Sequence, residues 1–277
     1  MTKQRRTTKI LLYLLLISGT IFALFPFYWM LRTALVGSDL IFEITPTFFP
    51  KHLEFHNFRD ALQAQPFDRF FLNSSIVTVA NIVGVLLSSS LCAYGFSRVD
   101  WPGRDRVFGV MLTALMLPFA VVMIPQFIGW RTLHLTDTLA PLIIPAYFGG
   151  GLFNIFLLRQ FYMGIPRDLD EAAFMDGANH FTVFRRIIMP LSSQSMIVVG
   201  LFTFLNNWND YLAPMIYLSS EKNYTLMLGL TLFQGAYSSQ WNLMMAAVSL
   251  VVLPSLIIFL FAQKYFIQGI AMTGVKG

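Results

Sequence analysis

The sequence predicts an all-α integral membrane protein with six transmembrane helices, and three observations carry that prediction. Hydrophobic residues make up 56% and charged residues 12% of the 277, with a mean hydropathy of +0.63. A soluble domain carries about twice that charge. Apolar runs long enough to cross a bilayer recur along the chain, since about 20 helical residues span the hydrocarbon core. The expected spans are 10–31, 70–96, 107–130, 138–163, 191–215 and 241–262, within a single domain of residues 1–277.

Lys3, Arg5, Arg6 and Lys9 form a basic tail ahead of the first apolar run. A signal peptide has an apolar core of about 7–15 residues and a small-residue cleavage site. The run from Ile10 to Leu31 is longer and closes on the aromatic belt FPFYWML. Such belts sit at the membrane–water boundary, so a retained first span is expected. Residues 32–69 are polar and interrupted by Pro46, Pro50 and Pro66, which predicts an external loop with a short helix near Leu53 to Ala64. The second span is entered through Asn73-Ser74-Ser75. Its Gly84 and Ser88-Ser89-Ser90 are small enough for a neighbouring helix to approach closely.

A turn, SRVDWPGRDR, covers 97–106. The third span is broken by Pro118 and Pro125, and a short external connection, 131–137, follows. Pro141, Pro145 and Gly149-Gly150-Gly151 interrupt the fourth span. The fifth and sixth spans flank a polar external stretch, 216–240, and a tail runs from 263 to 277. Cys92 stands alone in an apolar run, which excludes an intrachain disulfide and a cysteine metal cluster. The net charge of +5 calls for no nucleic-acid partner.

Six spans place both termini on one side, and Lys and Arg decide which. Lys3, Arg5, Arg6, Lys9, Arg98, Arg104, Arg106, Arg159, Arg167, Arg185, Arg186, Lys264 and Lys276 fall on the terminal side. Arg32, Lys51, Arg59, Arg69, Arg131 and Lys222 fall opposite. The expectation is a multi-pass membrane protein with both termini cytoplasmic.

The stretch 165–190, IPRDLDEAAFMDGANHFTVFRRIIMP, then lies on the cytoplasmic side between two spans. Pro166 suits a first helical turn, and Asp168 with Glu171 three residues on has capping-box spacing. Leu169, Ala172, Ala173 and Met175 supply an apolar helical face, with Asp170 and Asp176 elsewhere on the turn. Gly177 breaks or bends the helix. A second amphipathic helix runs through Phe181, Val183, Phe184, Ile187 and Ile188, and Pro190 closes it. By the residues alone, this is a capped helix, a glycine corner and a second helix. The plainer account is an ordinary cytoplasmic loop.

Glu171-Ala172-Ala173, Gly177 six residues after the glutamate, and Ile187-x-Met189-Pro190 resemble the EAA loop of binding-protein-dependent ABC importers. Met189 stands where that family usually has leucine, a volume-conserving replacement. Three further places resemble the MalG-like half of carbohydrate-uptake permease pairs. They are Phe71-Leu72-Asn73-Ser74-Ser75, Ala93-Tyr94-Gly95-Phe96-Ser97-Arg98 with Trp101-Pro102-Gly103-Arg104, and the glycine-rich ending Gly274-Val275-Lys276-Gly277.

The resemblance implies the type I ABC importer (MetI/MalG-like) fold with a cytoplasmic EAA coupling loop. It further implies that Glu171, Ala172, Ala173, Met175, Asp176, Gly177, Ile187 and Pro190 couple the chain to a separate ATPase. Lys276 and Gly277 would reach into the ATPase pair, although a frayed tail explains them as simply. The implied partners are a second, related permease, two ATPase subunits that hold ATP and Mg, and an extracytoplasmic sugar-binding protein. The chain itself would bind no cofactor and hydrolyse nothing.

Absences agree with that reading. The span centres lack the ionisable residues that ion-coupled transporters keep there. No Gly-x-Ser-x-Gly, His-Glu-x-x-His or Gly-x-x-x-x-Gly-Lys-Ser/Thr motif occurs, and His52, His56, His134 and His180 have no metal-ligand spacing. For the substrate path, Asn206, Asn209 and Asp210 share a helix face by spacing, near Trp208 and Tyr211. Gln126 and Asn154 could join them. Amides beside aromatic rings suit sugar hydroxyls and apolar sugar faces, while interhelical hydrogen bonding is the plainer role. The expected function is import of a carbohydrate, an oligosaccharide or sugar derivative. Two alternatives remain: a permease of another ABC importer branch (amino acid, peptide or phosphate), and an ion-coupled secondary transporter.

Overall fold

A computed structural model describes residues 3–43, 47–234 and 240–274. Among these the chain is helical, with no strand element. In order the helices are α1 (Lys3–Ala34), α2 (His56–Ala64), α3 (Phe67–Ser97), α4 (Arg104–Thr113), α5 (Phe119–Thr132), α6 (Ala140–Ile143), α7 (Leu152–Met163), α8 (Asp168–Met175), α9 (His180–Val183), α10 (Met189–Leu191), α11 (Ser193–Trp208), α12 (Leu212–Tyr217), α13 (Leu226–Gly229) and α14 (Trp241–Gly274).

Among the described residues, four helical stretches are long and apolar enough to cross a membrane: Thr8–Ala34, Phe67–Ser97, Ala140–Met163 and Trp241–Gln263. Two more arise only by pairing bent helices. Arg104–Met116 meets Phe119–Thr132 at 97°, and His180–Leu191 meets Ser193–Trp208 at 78°. The break expected in the third span, 107–130, falls at Pro118, and a bend that was not expected lies at Ser192, where the stretch 191–215 begins. At the first bend the cause is Pro118. A residue before proline is pushed out of the helical region, and Leu117 has an extended ψ of 115°. Pro125, also expected to break the span, sits inside α5, which continues past it.

The packing falls into two compact units, Met1–Phe67 with Leu230–Leu253, and Asp68–Gly229 with Pro254–Gly277. In the first, Asn57 on the expected short helix, α2, is buried and donates from Nδ2 to the carbonyls of Ala34 and Val36, both at 3.0 Å. Its Oδ1 accepts from Asn242 Nδ2 at 3.3 Å. One amide thus satisfies the carbonyls that the end of α1 leaves free.

In the second unit, small residues bring α3 against the glycine-interrupted fourth hydrophobic stretch, as the sequence led one to expect. A methyl on Gly84 would lie 2.8 Å from the Tyr147 ring. Ser88 Oγ lies 2.7 Å from the carbonyls of Gly84 and Ala146. Gly150 has φ +62°, and a methyl there would stand 2.9 Å from the Val85 carbonyl oxygen. Only glycine meets both demands. The adjoining core is built from Tyr94, Phe108, Ile155, Leu158, Tyr162, Val183, Phe184, Ile188 and Val199, which ties α3, α4, α7, α9 and α11 together.

Outside the apolar stretches, the connection at 131–137 is pinned to residues 217–223. Asp137 accepts from Ser220 Oγ and from the backbone N–H groups of Ser219 and Ser220, at 2.9 and 2.8 Å. These bonds, the Ser220 hydroxyl first, hold the Asp137 carboxyl well below the usual carboxylate range.

Candidate functional site

The stretch 165–190 is built in the structure as two helices meeting at a glycine. Helix α8 ends at Met175, and Gly177 follows with φ +84°. The Gly177 N–H donates to the Phe174 carbonyl at 3.0 Å and the Ala178 N–H to the Ala173 carbonyl at 2.9 Å. That pair of bonds is the Schellman ending, which needs a left-handed residue where Gly177 stands. Asn179 then caps α9, its Oδ1 accepting from the Thr182 N–H at 2.9 Å. Asparagine just ahead of the second apolar helical face was a legible cap signal, although Asn179 was not among the expected capping residues.

Two expectations for the start of α8 are corrected. The capping box does not form: Arg167 occupies the cap position with φ −70° and ψ −25°, and no side chain caps the helix. A capping residue normally has extended backbone, and Asp168 lies one position too far into the helix. The Arg167 carbonyl instead accepts from the N–H groups of Asp170 and Glu171 at 2.9 and 3.1 Å. The second correction concerns facing. Asp170, expected off the packed face, is the buried residue of α8, while Leu169, Ala172 and Met175 are exposed. Met175 is 88% exposed.

Asp170 is buried because Arg98 meets it. Arg98, from the end of α3, donates from Nη1 to Asp170 Oδ2 at 3.1 Å. Its Nη2 donates to the carbonyls of Tyr162 and Ile165, where the partial negative charge at the end of α7 favours a cation. Around it, Arg167 pairs with Asp100 at 3.2 Å and Arg159 with Asp105 at 2.7 Å. The hydrogen bond and charge of Arg167, with Arg104 behind it, hold the exposed Asp100 carboxyl below its ordinary value. No sequence spacing announces an ion pair across 72 residues, and Arg98 and Asp170 were not expected as partners.

Of the other expected coupling residues, Glu171, Asp176 and Gly177 are exposed like Ala172, and Ala173 and Ile187 rest half-buried against the core. Pro190 does not close the second helix. The helix passes through a π turn, Phe184–Ile188, in which the Met189 N–H bonds to the Phe184 carbonyl, and continues as α10 to Leu191. The wider turn makes room for a ring that would clash in a regular α-helix. Lys276 and Gly277 lie outside the described residues.

The amide-rich end of α11 is also partly rearranged. The helix stops at Trp208, and Asn209 and Asp210 lie beyond it, so the helix face expected for Asn206, Asn209 and Asp210 does not extend to them. A cavity of about 230 Å³ is lined by Gln126, Asp210, Trp130, Tyr217, Thr225 and Asn207, among others. Gln126 accepts from the Tyr217 hydroxyl at 3.3 Å. Asn209 and Asn154 turn back onto the carbonyls of Leu205 and Gly150, at 2.8 and 2.7 Å. Asn206 is exposed. The structure thus gathers Gln126 and Asp210 with Asn207, an amide of the same cluster that helix spacing had left off their face.

The family model for binding-protein-dependent transport system inner membrane components matches residues 76–272. The chain belongs to this family. As an inner-membrane permease with several apolar helices, it is a multi-pass membrane protein. Among its relatives is the arabinooligosaccharides transport system permease protein AraQ of Bacillus subtilis, 34% identical over 92% of this chain and 91% of that one. The diacetylchitobiose uptake system permease protein DasC of Streptomyces coelicolor is 31% identical over 91% of this chain and 92% of that one. A solved bacterial ABC transporter involved in the import of the acidic polysaccharide alginate has a chain of the same fold. Its TM-score is 0.83 at 24% identity, covering 96% of this permease and 99% of that chain. The family match includes 165–190 and the cavity, and leaves α1 and α2 outside it.

Proposed function

We propose that the chain is a single permease domain, 1–277, of an ATP-driven importer for a carbohydrate, an oligosaccharide or sugar derivative. The observation that carries this is near-full-length similarity to permeases of arabinooligosaccharide and diacetylchitobiose systems. In this reading each bent helix pair forms one broken span, giving six, with both termini cytoplasmic. A binding protein delivers the sugar outside, a reading supported by the family's description as binding-protein-dependent. A second permease completes the path, and two ATPase subunits carry ATP and Mg.

Helix α8 is the contact to those ATPases. Glu171, Ala172, Met175, Asp176 and Gly177 form its free surface, supported by Ala173, Ile187 and Pro190. Exposed apolar side chains beside a glycine corner suit insertion into a cleft on another protein, since burying them there gains about 25 cal/mol per Å². Closure of the ATPases pulls the two α8 elements together and rocks the membrane helices, while this chain catalyses nothing. Lys276 and Gly277 extend the same contact. Gln126 and Asp210 belong to the sugar path with Asn207; Asn154, Asn206 and Asn209 border it.

The test is a mild-detergent pull-down of the tagged chain from its native membrane, read by mass spectrometry. Recovery of an ATPase, a second permease and a sugar-binding protein is the expected result. Recovery of the chain alone, transporting in vesicles without ATP and collapsing with ionophores, overturns it.

A further inference from the structure

Three ion pairs join the 97–106 turn to the chain around α8. Arg98 meets Asp170 at 3.1 Å, Asp100 meets Arg167 at 3.2 Å, and Asp105 meets Arg159, on α7, at 2.7 Å. The Arg98 pair differs from the other two in being out of solvent, with side chains 2% and 9% exposed. Its guanidinium also binds the carbonyls of Tyr162 and Ile165. One side chain at the end of α3 therefore grips both the end of α7 and the start of α8.

We infer that Arg98 is a positioning residue for coupling: it locks α8 to the ends of α3 and α7, so that the three move as one lever. The inference rests on α8 being the ATPase contact. A buried pair is a poor device for stability alone, because removing two charges from water offsets most of their attraction. This pair is also incompletely satisfied, with Arg98 Nε and Asp170 Oδ1 buried and lacking hydrogen-bond partners. What it supplies is direction. A planar guanidinium holds three acceptors at fixed angles, which a lysine ammonium does not reproduce.

Ala173 rests against the core and Phe174 meets the edge of the His180 ring at 4.9 Å, but both are apolar or ring contacts that can slide. Asp170 is the buried residue of α8, and its ion pair fixes a direction. Without the lock, α8 would swing between its two ends, at the 164–166 turn and Gly177, and ATPase closure would be spent on that swing.

The test uses the complex purified through the tagged chain and placed in lipid nanodiscs. Spin labels go on Leu169→Cys and Leu91→Cys, both exposed positions outside the docking surface, in a Cys92→Ser background. Electron–electron distance measurements are made without nucleotide and after trapping with ATP and vanadate. The expected result is one narrow distance, unchanged by trapping. Arg98→Met, Arg98→Lys and Asp170→Asn each lose that narrow peak while ATP hydrolysis by the co-purified ATPase persists, so transport per ATP falls.

A wild-type distance that shifts on trapping overturns the inference, and this comparison needs no variant to fold. Variants that keep the narrow peak overturn it as well. If no ATPase accompanies the wild-type chain, the proposed function fails. The nucleotide-free peak widths of wild type and Asp170→Asn then still decide whether Arg98 locks α8.

Discussion

Gly177 separates a structural corner from a docking surface more cleanly than any other position. Its φ of +84° makes a side chain there adopt the left-handed region, at a cost of roughly 1–2 kcal/mol for most residues and less for Asn and Asp. Nothing lies within 4 Å of where a Cβ would stand, so the chain itself adds no clash. Gly177→Ala should therefore cost about 1 kcal/mol, roughly a fivefold loss of the corner conformation. Gly177→Asn and Gly177→Asp should cost less and nearly the same, because the two side chains share size and backbone preference.

They differ in charge and in the amide's N–H donors, which gives the experiment its power. Membrane insertion and melting temperature of the purified permease should be alike for Asn and Asp. Co-purification of the ATPase, and uptake, should be lost with Asp and retained better with Asn. A dry docking surface tolerates an amide that can hydrogen-bond and rejects an unpaired carboxylate. If the Asp variant docks and transports as well as the Asn variant, Gly177 is a corner only, and the assignment of α8 as the contact is refuted.

Further outcomes follow from other sites. Asp170→Asn leaves Arg98 buried without its counter-charge and should destabilise the permease by about 3–5 kcal/mol, with Arg98→Met combined with Asp170→Leu recovering part of it in thermal scanning. Gly150→Ala must relieve both a left-handed φ and a 2.9 Å approach to the Val85 carbonyl, so it should lower the melting temperature far more than Gly103→Ala, where φ is +83° but nothing is near. Asn57→Ala removes two hydrogen bonds from the end of α1 and should cost about 1–3 kcal/mol, measured by denaturation in detergent. The depressed Asp137 carboxyl stabilises the 131–137 connection at any pH above the unfolded value near 3.9. That contribution should disappear as pH falls through the lower folded value, read as loosened hydrogen exchange at 217–223, and Asp137→Asn should abolish this acid dependence.

The helical class, the positions of the apolar stretches and the Gly177 corner were legible because each rests on a local rule: hydropathy over twenty residues, or a residue type with special dihedrals. The helix breaks were legible only in part. Pro118 and Pro125 look alike in sequence, yet one ends a helix and the other is absorbed. Pro118 stands at the cap of α5 with extended backbone, ψ 144°, whereas Pro125 lies inside that helix. Asp168 and Asp170 were misassigned for a related reason. Capping chemistry is local, whereas Asp170 is drawn inward by an arginine far away in the chain. The cavity was half legible: density of amides pointed to the end of α11, but helix periodicity was carried past Trp208, where the helix stops.

The π turn at 184–188 has a consequence for how this segment tolerates length changes. A π turn is, in effect, one residue more than an α-helix needs, and each helical residue carries about 100° of rotation. Deleting Arg186, which is exposed, would convert the turn to regular helix without removing a packed side chain. The helix beyond would keep nearly its phase relative to α8, because the wider turn already absorbs the extra residue, but the Pro190 ring would be set against a carbonyl. The single surplus residue is therefore tied to the proline that follows it. A lineage that lost one would have to give up the other.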